Sequence, residues 1–372
     1  MNSNYSILQV CVDLDGGGID RYLYNYCTRI NDIHFDFAAI DNKNGILEEP
    51  LKQHGFKIYK IPRINKGILN NYRALKNIMQ NNHYDAVHVH LGFYGFLALL
   101  AAKKCGIKTR IAHAHIAFVP EKFKEHILRK ILTCITKYYA TNLAACGIDA
   151  AKWVWGKNIY EKGKVIIHNN AIDTNIYKFN KEIRTKIRKE LGISSNTLLI
   201  GHVGRLCEQK NQKRLIEIYS EIEKQIPDSK LILLGYKETN YNIETLINKY
   251  KLQDKVMVMG VRNDVPMLLN SMDAFVFPSK FEGLPFTLIE TQCNGLPAIS
   301  SSAVSSYVKV SQCIEFLPLS ESNEKWAEKT IEIAKQNHNI KAIDDVIKGG
   351  YDLDTEAKKL KNYYFELIQT NA

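Results

Sequence analysis

Glu282 and Glu290, in "FPSKFEGLPFTLIETQCNGLPAIS", stand eight residues apart across a Gly-Leu-Pro turn and the opening of a predicted helix. Ionised carboxylates only accept hydrogen bonds, so they suit the vicinal hydroxyls of a sugar. Pro285 fits the first helical turn and Thr287 to Cys293 has helical spacing, which leaves the backbone N–H groups of Gly283, Leu284, Phe286 and Thr287 free for an anion or a hydroxyl. Gly283 lets a ligand approach. Upstream, "VGRLCEQKNQKRLIE" sets Arg205 and Lys210 in a strand-to-helix loop, where two cations suit the charge that grows on a departing diphosphate. Each feature alone has a plainer reading. Glu282 would complement a helix dipole, Glu290 would be a solvated helix residue, and Arg205 and Lys210 would be solvated loop charges.

Two further stretches carry reactive residue types. "VHVHLG" and "AHAHIA" pair His88 with His90 and His113 with His115 at i and i+2, so each pair points to one face of a strand. Metal binding is one use of such pairs. "DLDGGG" ends the first predicted strand and opens a helix, a context in which Gly16, Gly17 and Gly18 let backbone approach a phosphate or an acceptor. An Asp-x-Asp metal site and a purely structural turn are the other readings.

The elements that must position these residues alternate along the chain as short apolar runs and amphipathic stretches, the signature of βα units and parallel sheets. Strands are predicted at Ser6–Val12, Phe35–Ile40, Ala86–His90, Thr109–His113, Leu143–Cys146 and Val165–Ile167. A second set follows at Thr197–Val203, Lys230–Leu234, Val256–Met259, Ala274–Phe277 and Pro297–Ser300. Each set opens with its own strand-loop-helix, and a polar stretch separates them, so an α/β chain of two doubly wound, Rossmann-like domains is expected. The boundaries are placed at 1–173 and 174–353, with a final helix at about 354–372 returning to the first domain. The site is expected in a cleft that the two domains face.

Composition narrows the partners. The chain has 372 residues, 45% hydrophobic and 24% charged, with no Pro-, Ser- or Gln-rich tract, and is expected to fold throughout. A net charge of +11 suggests an anionic partner such as a phosphorylated substrate, an acidic membrane surface or nucleic acid. The N-terminus does not read as a signal peptide, and the longest apolar run, Phe96 to Ala102, falls far short of the roughly 20 residues that span a bilayer. The eight cysteines include no C-x-x-C pair, which suits reduced thiols in the cytoplasm and argues against a zinc site.

"FEGLPFTLIETQCNGLP" resembles the E-x7-E segment of family 4 retaining glycosyltransferases, which have the GT-B fold. "VGRLCEQKNQKRLIE" is similar to that family's diphosphate-binding loop, "VIIHNNAIDTNIY" to its interdomain segment and "DLDGGGIDRYLYNY" to its N-terminal glycine-rich loop. Within the family, "RIAHAHIAF" and "ISSSAVSSYVKVSQCIEFLPLS" resemble capsular and exopolysaccharide enzymes. The resemblance implies an N-terminal acceptor-binding domain and a C-terminal domain that binds a nucleotide-sugar, UDP-linked. It implies retention of configuration, a saccharide or polyprenyl-linked acceptor, no metal and no nucleic acid. Glu290 would hold the donor ribose and Glu282 the donor sugar. Arg205 and Lys210 would hold the diphosphate, and the Gly17–Gly18 loop with Gly283, Leu284, Pro285 and Phe286 would line the donor site. His113 or His115 would stand near the reacting sugar. Ala171 replaces a usual glycine, which puts the turn at that point in question.

Two rival readings stay open. A UDP-sugar 2-epimerase of the same fold would use carboxylates and a histidine for proton transfer. A catalytically silent GT-B subunit would bind the acceptor for a partner, although such a chain should lose donor-site residues that this one keeps.

One helix raises a separate question. In "EKFKEHILRKILTCITKYY", Glu121 to Tyr139, the residues Ile127, Leu128, Ile131, Leu132, Ile135, Tyr138 and Tyr139 form a stripe, with Lys122, Arg129, Lys130 and Lys137 opposite. The ordinary expectation is a stripe packed on the sheet. The alternative is a surface that docks peripherally on anionic lipid at the inner face of a membrane.

Overall fold

A computed structural model describes residues 5–15, 17–40, 45–116 and 122–371. The chain divides into two compact units, Met1–Ala171 with Leu353–Ala372, and Ile172–Asp352. Gly16 and Glu121 lie outside the described residues.

The first unit is built on β1 (Tyr5–Cys11), β2 (Ile33–Ile40), β3 (Ile58–Ile61), β4 (Ala86–Val89), β5 (Thr109–Ala114), β6 (Asn142–Ala145) and β7 (Val165–Ile167). They form one parallel sheet in the order β3-β2-β1-β4-β5-β6-β7. Its central strands are apolar runs buried on both faces, as a sheet covered by helices on each side requires. Register decides which polar side chains meet. Gln9 lies opposite His88, and His88 opposite Ile111, so Gln9, His88, His90 and His113 share one face. The helix Leu353–Asn371 returns to this unit, tied by Arg29 Nε to Asp354 at 2.8 Å and by the Tyr5 and Phe365 rings at 5.1 Å.

The second unit contains β8 (Leu198–Val203), β9 (Ser229–Leu234), β10 (Val256–Gly260), β11 (Ala274–Phe277), β12 (Ala298–Ser301) and β13 (Ile314–Leu317). The order is β10-β9-β8-β11-β12-β13, again all parallel. Trp326, Tyr219 and Phe275 are fully buried in its core. The strands absent from the sequence expectation, β3 and β13, are both edges. "IYKI" and "IEFL" are half-buried and each carries a charge, so neither reads as a core strand.

Two expectations change. Ala171 is buried and has negative φ, since Asn211 and Lys251 are the non-glycine residues of positive φ among those described. Alanine is therefore unstrained there. The helix Phe123–Tyr139 does not pack its apolar stripe on the sheet. It buries Thr133 and Thr136, with Thr136 Oγ1 donating to Phe93 O at 2.8 Å, and leaves Phe123 78% exposed with Ile127, Leu128, Ile131 and Tyr138 also in solvent. Arg129 is held inward, donating to Trp153 O at 3.0 Å with its guanidinium 4.6 Å from the indole centroid.

In the second unit, one buried charge network ties a helix to the sheet. Asp273, at the foot of β11, pairs with Arg184 and with Arg188 Nη1 at 3.1 Å, both on the helix Lys181–Glu190, and accepts the Leu199 N–H at 2.7 Å. Arg188 is 4% exposed and donates further to Ser271 O at 2.8 Å. Replacing Asp273 by Ala leaves two guanidinium groups without their anion, at a cost of about 3–5 kcal/mol. Urea titration should show a lower midpoint with an unchanged slope; an unmoved midpoint would refute the network's importance.

Candidate active site

In the second sheet β8 and β11 are neighbours, although β9 and β10 intervene in sequence. The chain leaves β8 toward β9 on one side and later returns to β11 on the other. The loops that follow both strands thus open side by side at the carboxyl edge, the switch point where doubly wound sheets bind ligands. This arrangement brings the 204–211 loop against residues 278–285.

Lys210 Nζ lies 2.7 Å from Glu282 Oε1, with both side chains mostly shielded from water. The ammonium also sits 4.7 Å from the Phe277 ring centroid. Gln209 donates to Glu282 Oε1 at 3.1 Å and to Phe281 O at 3.0 Å, while Lys280 N–H returns a bond to Gln209 O at 2.8 Å. Asn211, in the left-handed region at φ 59°, donates to Pro278 O at 3.1 Å. Glu282 is therefore clamped beside a cation and is not a solvated dipole partner.

Arg205 behaves differently. Its side chain is 56% exposed and its Nε lies 3.4 Å from Glu238. No bond joins it to Lys210 among the described residues, so the two cations have separate partners. The backbone beneath is fixed: Gln212 donates to Arg205 O at 2.9 Å and accepts the Cys207 N–H at 3.2 Å. Gln212 Nε2 also lies 3.1 Å from His202 Nε2, and His202 Nδ1 lies 2.9 Å from Val276 O. Burial is the main cause that pulls His202 down to about 4. It is thus neutral, donates to the carbonyl and accepts from Gln212.

The helix after the turn spans Phe286–Cys293, with Pro285 as its N-cap. Gly283 and Leu284 consequently lie outside it, and Phe286 and Thr287 supply the first helical N–H groups. Glu290 sits one turn into the helix, because residues 282–285 are irregular. It is 1% exposed and accepts from Tyr177 Oη at 2.8 Å. A solvated role is excluded. Burying a carboxylate is costly without strong partners, and the Tyr177 hydroxyl is one of them.

Gly235 carries a signal that the sequence reading missed, a glycine directly after the buried strand β9. Its φ is 137°, and a Cβ there would fall 2.1 Å from Gly204 O and 3.2 Å from Arg205 N. The β9 loop thus presses on the backbone that presents Arg205. Tyr177, Gln209 and Glu238 were also missed, since nothing in their local sequence marks them.

The first unit repeats the geometry, with its switch between β1 and β4. Gly17 caps the helix Gly18–Arg29 at φ −65°, and its N–H donates to Asp20 Oδ2 at 2.9 Å. A Cβ on Gly18 would meet nothing, so neither residue needs to be glycine for its backbone conformation. The imidazoles of His88, His90, His113 and His115 stand together, the first three fully buried. Ligand atoms of His88, His90 and His113 lie within 4.8 Å of one another, a spacing that could hold a metal. Yet hydrogen bonds to Tyr364, His115, Gln9 and between the rings engage every one of their nitrogens except His113 Nε2. Burial lowers all four, with His115 at about 3, so they are neutral near pH 7.

Comparison with known proteins agrees with this geometry. Residues 16–175 match the family described as Glycosyltransferase Family 4, and residues 183–351 match Glycosyl transferases group 1. Glycosyltransferase EpsF of Bacillus subtilis (strain 168), a name given as putative, is 28% identical over 98% of this chain and 97% of its own length. The Escherichia coli UDP-Gal:alpha-D-GlcNAc-diphosphoundecaprenol alpha-1,3-galactosyltransferase is 27% identical over 77% of this chain and 76% of its own. Anabaena HepE, solved in complex with UDP-glucose, superposes with a TM-score of 0.80 at 20% identity, over 98% of this chain and 100% of HepE. With two parallel doubly wound sheets, a family 4 match on the first and a group 1 match on the second, the chain belongs to the GT-B glycosyltransferases of these families.

Proposed function

We propose that this enzyme transfers a sugar from a UDP-sugar to a lipid-linked saccharide in the building of an exopolysaccharide or capsule, with retention of configuration. The observation that carries the reading is the pair Lys210–Glu282 at the carboxyl edge of β8 and β11, with Glu290 buried one turn inside the helix that follows. Glu290 takes the ribose hydroxyls and Glu282 the sugar hydroxyls. Arg205 and Lys210 take the diphosphate, with the Phe286 and Thr287 N–H groups beside Gly283, Leu284 and Pro285. Support for UDP comes from the UDP-glucose bound to HepE and the UDP-Gal donor of the E. coli relative.

In the transfer, the bond from the sugar's anomeric carbon to the diphosphate oxygen breaks. The acceptor hydroxyl oxygen bonds to that carbon from the same face, and its proton passes to the departing diphosphate. The two cations stabilise the growing charge, so no metal is assigned a part. His113 or His115 meets the reacting sugar, and the Gly17–Gly18 loop leaves room for the substrate.

The diphosphoundecaprenol acceptor of the E. coli relative supports a lipid-linked acceptor here. No described helix is long and apolar enough to cross a membrane, and the contact proposed is peripheral. The helix Phe123–Tyr139 fits such contact: Phe123, Leu128 and Ile131 face solvent with Lys124 and Lys130 beside them. Val12, Ile46, Ile68, Leu69, Tyr94 and Ile116, all exposed, follow β1 to β5. In a parallel sheet those loops open at one edge. Each basic group near an anionic surface adds about 1 kcal/mol, and the apolar side chains add burial in the headgroup region.

Lys210→Ala should cut turnover about 100- to 1000-fold with unchanged circular dichroism. Gly235→Ala should weaken UDP-sugar binding in calorimetry by displacing the Arg205 loop. Activity should survive excess EDTA. NMR of the product should show the donor's anomeric configuration; an epimerised UDP-sugar formed without acceptor would replace this reading with an epimerase. In liposome co-sedimentation, pelleting should rise with anionic lipid and fall with salt. It should also drop in Lys124→Ser/Lys130→Ser/Lys137→Ser and in Phe123→Ser/Leu128→Ser/Ile131→Ser. Equal pelleting of all three proteins would discard this helix as the docking surface.

A further inference from the structure

The buried imidazoles of the first unit are joined through one amide. Gln9 Nε2 donates to Tyr364 Oη at 3.2 Å, and Gln9 Oε1 lies 2.7 Å from His90 Nε2. From Tyr364 the path runs to His88 Nδ1 at 2.6 Å and from His88 Nε2 to His113 Nδ1 at 3.0 Å. On the other side His90 Nδ1 lies 2.8 Å from His115 Nε2. Gln9, Tyr364, His88, His90 and His113 are each 2% exposed or less, so water does not compete for these bonds.

The bonds determine one another. An amide oxygen only accepts, so His90 Nε2 carries a proton and its Nδ1 accepts from His115 Nε2–H. The amide nitrogen only donates, so Tyr364 accepts from Gln9, and its buried hydroxyl proton, with no other acceptor among the described residues, goes to His88 Nδ1. His88 then holds its proton on Nε2 and gives it to His113 Nδ1. A neutral His113 must therefore carry its proton on Nε2. Every donor points the same way, from His115 to His113, and turning the Gln9 amide over would reverse the whole series.

The two ends of the series are distinct. His113 Nε2 is buried and has no hydrogen-bond partner among the described residues, and the same holds for Tyr22 Oη and His168 Nε2. The Tyr22 and His168 rings lie 5.1 and 6.1 Å from the His113 ring. At the other end, half-buried His115 stacks on His113 at 4.0 Å between centroids, with its Nδ1 left as an acceptor.

We infer that Gln9 and Tyr364 are positioning residues that hold His113 as a neutral Nε2–H donor and His115 as a neutral Nδ1 acceptor. Half-buried His115 thus presents a fixed acceptor, the buried His113 Nε2–H is a fixed donor in the ring stacked against it, and the C-terminal helix helps to set that polarity through Tyr364. The inference rests on the glycosyl-transfer reading for its use, but not for its chemistry. A hydroxyl of a sugar donates to His115 Nδ1 while the His113 donor behind it keeps its direction, without either imidazole changing charge. The tautomers are fixed before substrate arrives, which is how a site avoids reorganising during reaction.

Two measurements test this. Long-range proton–nitrogen NMR of protein labelled with 15N-histidine, without substrate, should find His88, His90, His113 and His115 all protonated on Nε2. In Tyr364→Phe, His88 and His113 should become tautomer mixtures, while His90 and His115 keep theirs. In Gln9→Met, His90 should also lose its preference. Kinetically, Tyr364→Phe should lower kcat roughly tenfold with the donor KM unchanged, the pattern of an interaction made only in the transition state. Rings protonated on Nδ1 in the wild type, or tautomers unmoved by Tyr364→Phe, would overturn the inference. Altered tautomers with unchanged kcat would overturn it as well. A protein that transfers no sugar from any nucleotide-sugar would refute the functional reading instead, and the NMR result would still decide the polarity.

Discussion

Lys210 and Glu282 meet because β8 and β11 lie side by side while the chain between them runs out through β9 and β10. That reversal of strand order makes two loops, distant in sequence, neighbours at the carboxyl edge. The rest of the site depends on it. Gln209 and Asn211 stitch the first loop to the second, Gly235 brings the β9 loop against Gly204, and Glu290 follows from the helix that the second loop begins. A parallel sheet cannot place an active site elsewhere at so little structural cost, since its helices cover both faces and leave only the strand ends open.

The constraint explains why the carboxylates differ. Glu282 stands on an irregular turn, where an ammonium and a glutamine amide restrain it. Glu290 stands inside a helix, nearly closed to water, with the Tyr177 hydroxyl on one oxygen. The first is held by polar contacts on a turn; the second is fixed by helix packing. Arg205, half-exposed and paired across 3.4 Å with Glu238, has the most freedom of the four.

Much of this was readable from the sequence where a signal is local. The strand-loop-helix openings, the Gly-Leu-Pro turn and the central apolar strands all depend on residues within a few positions of each other. What could not be read depends on partners far along the chain. Tyr364 lies 355 residues from Gln9, and nothing in "KNYYFELI" marks one of its two tyrosines as the hydroxyl that reaches His88. The edge strands β3 and β13 were missed because a half-buried edge carries charges that mask its apolar pattern. The helix Phe123–Tyr139 was misread for a different reason. Its apolar stripe is real, but periodicity says only that a stripe exists, and the threonine face packs inward instead.

The first unit gathers imidazoles that burial holds neutral. For these histidines the folded pKa lies below the unfolded value of about 6.5, with His115 at about 3 and His168 at about 4. Above that unfolded value the difference has no effect on stability. As pH falls below it, the unfolded chain takes up protons that the folded chain refuses, and each such group weakens the fold by about 1.4 kcal/mol per pH unit until its folded pKa is reached. Neutral imidazoles buried together thus carry a standing liability in acid. A chain that packs four of them around one glutamine accepts that liability in return for donors and acceptors whose directions do not change when a substrate arrives.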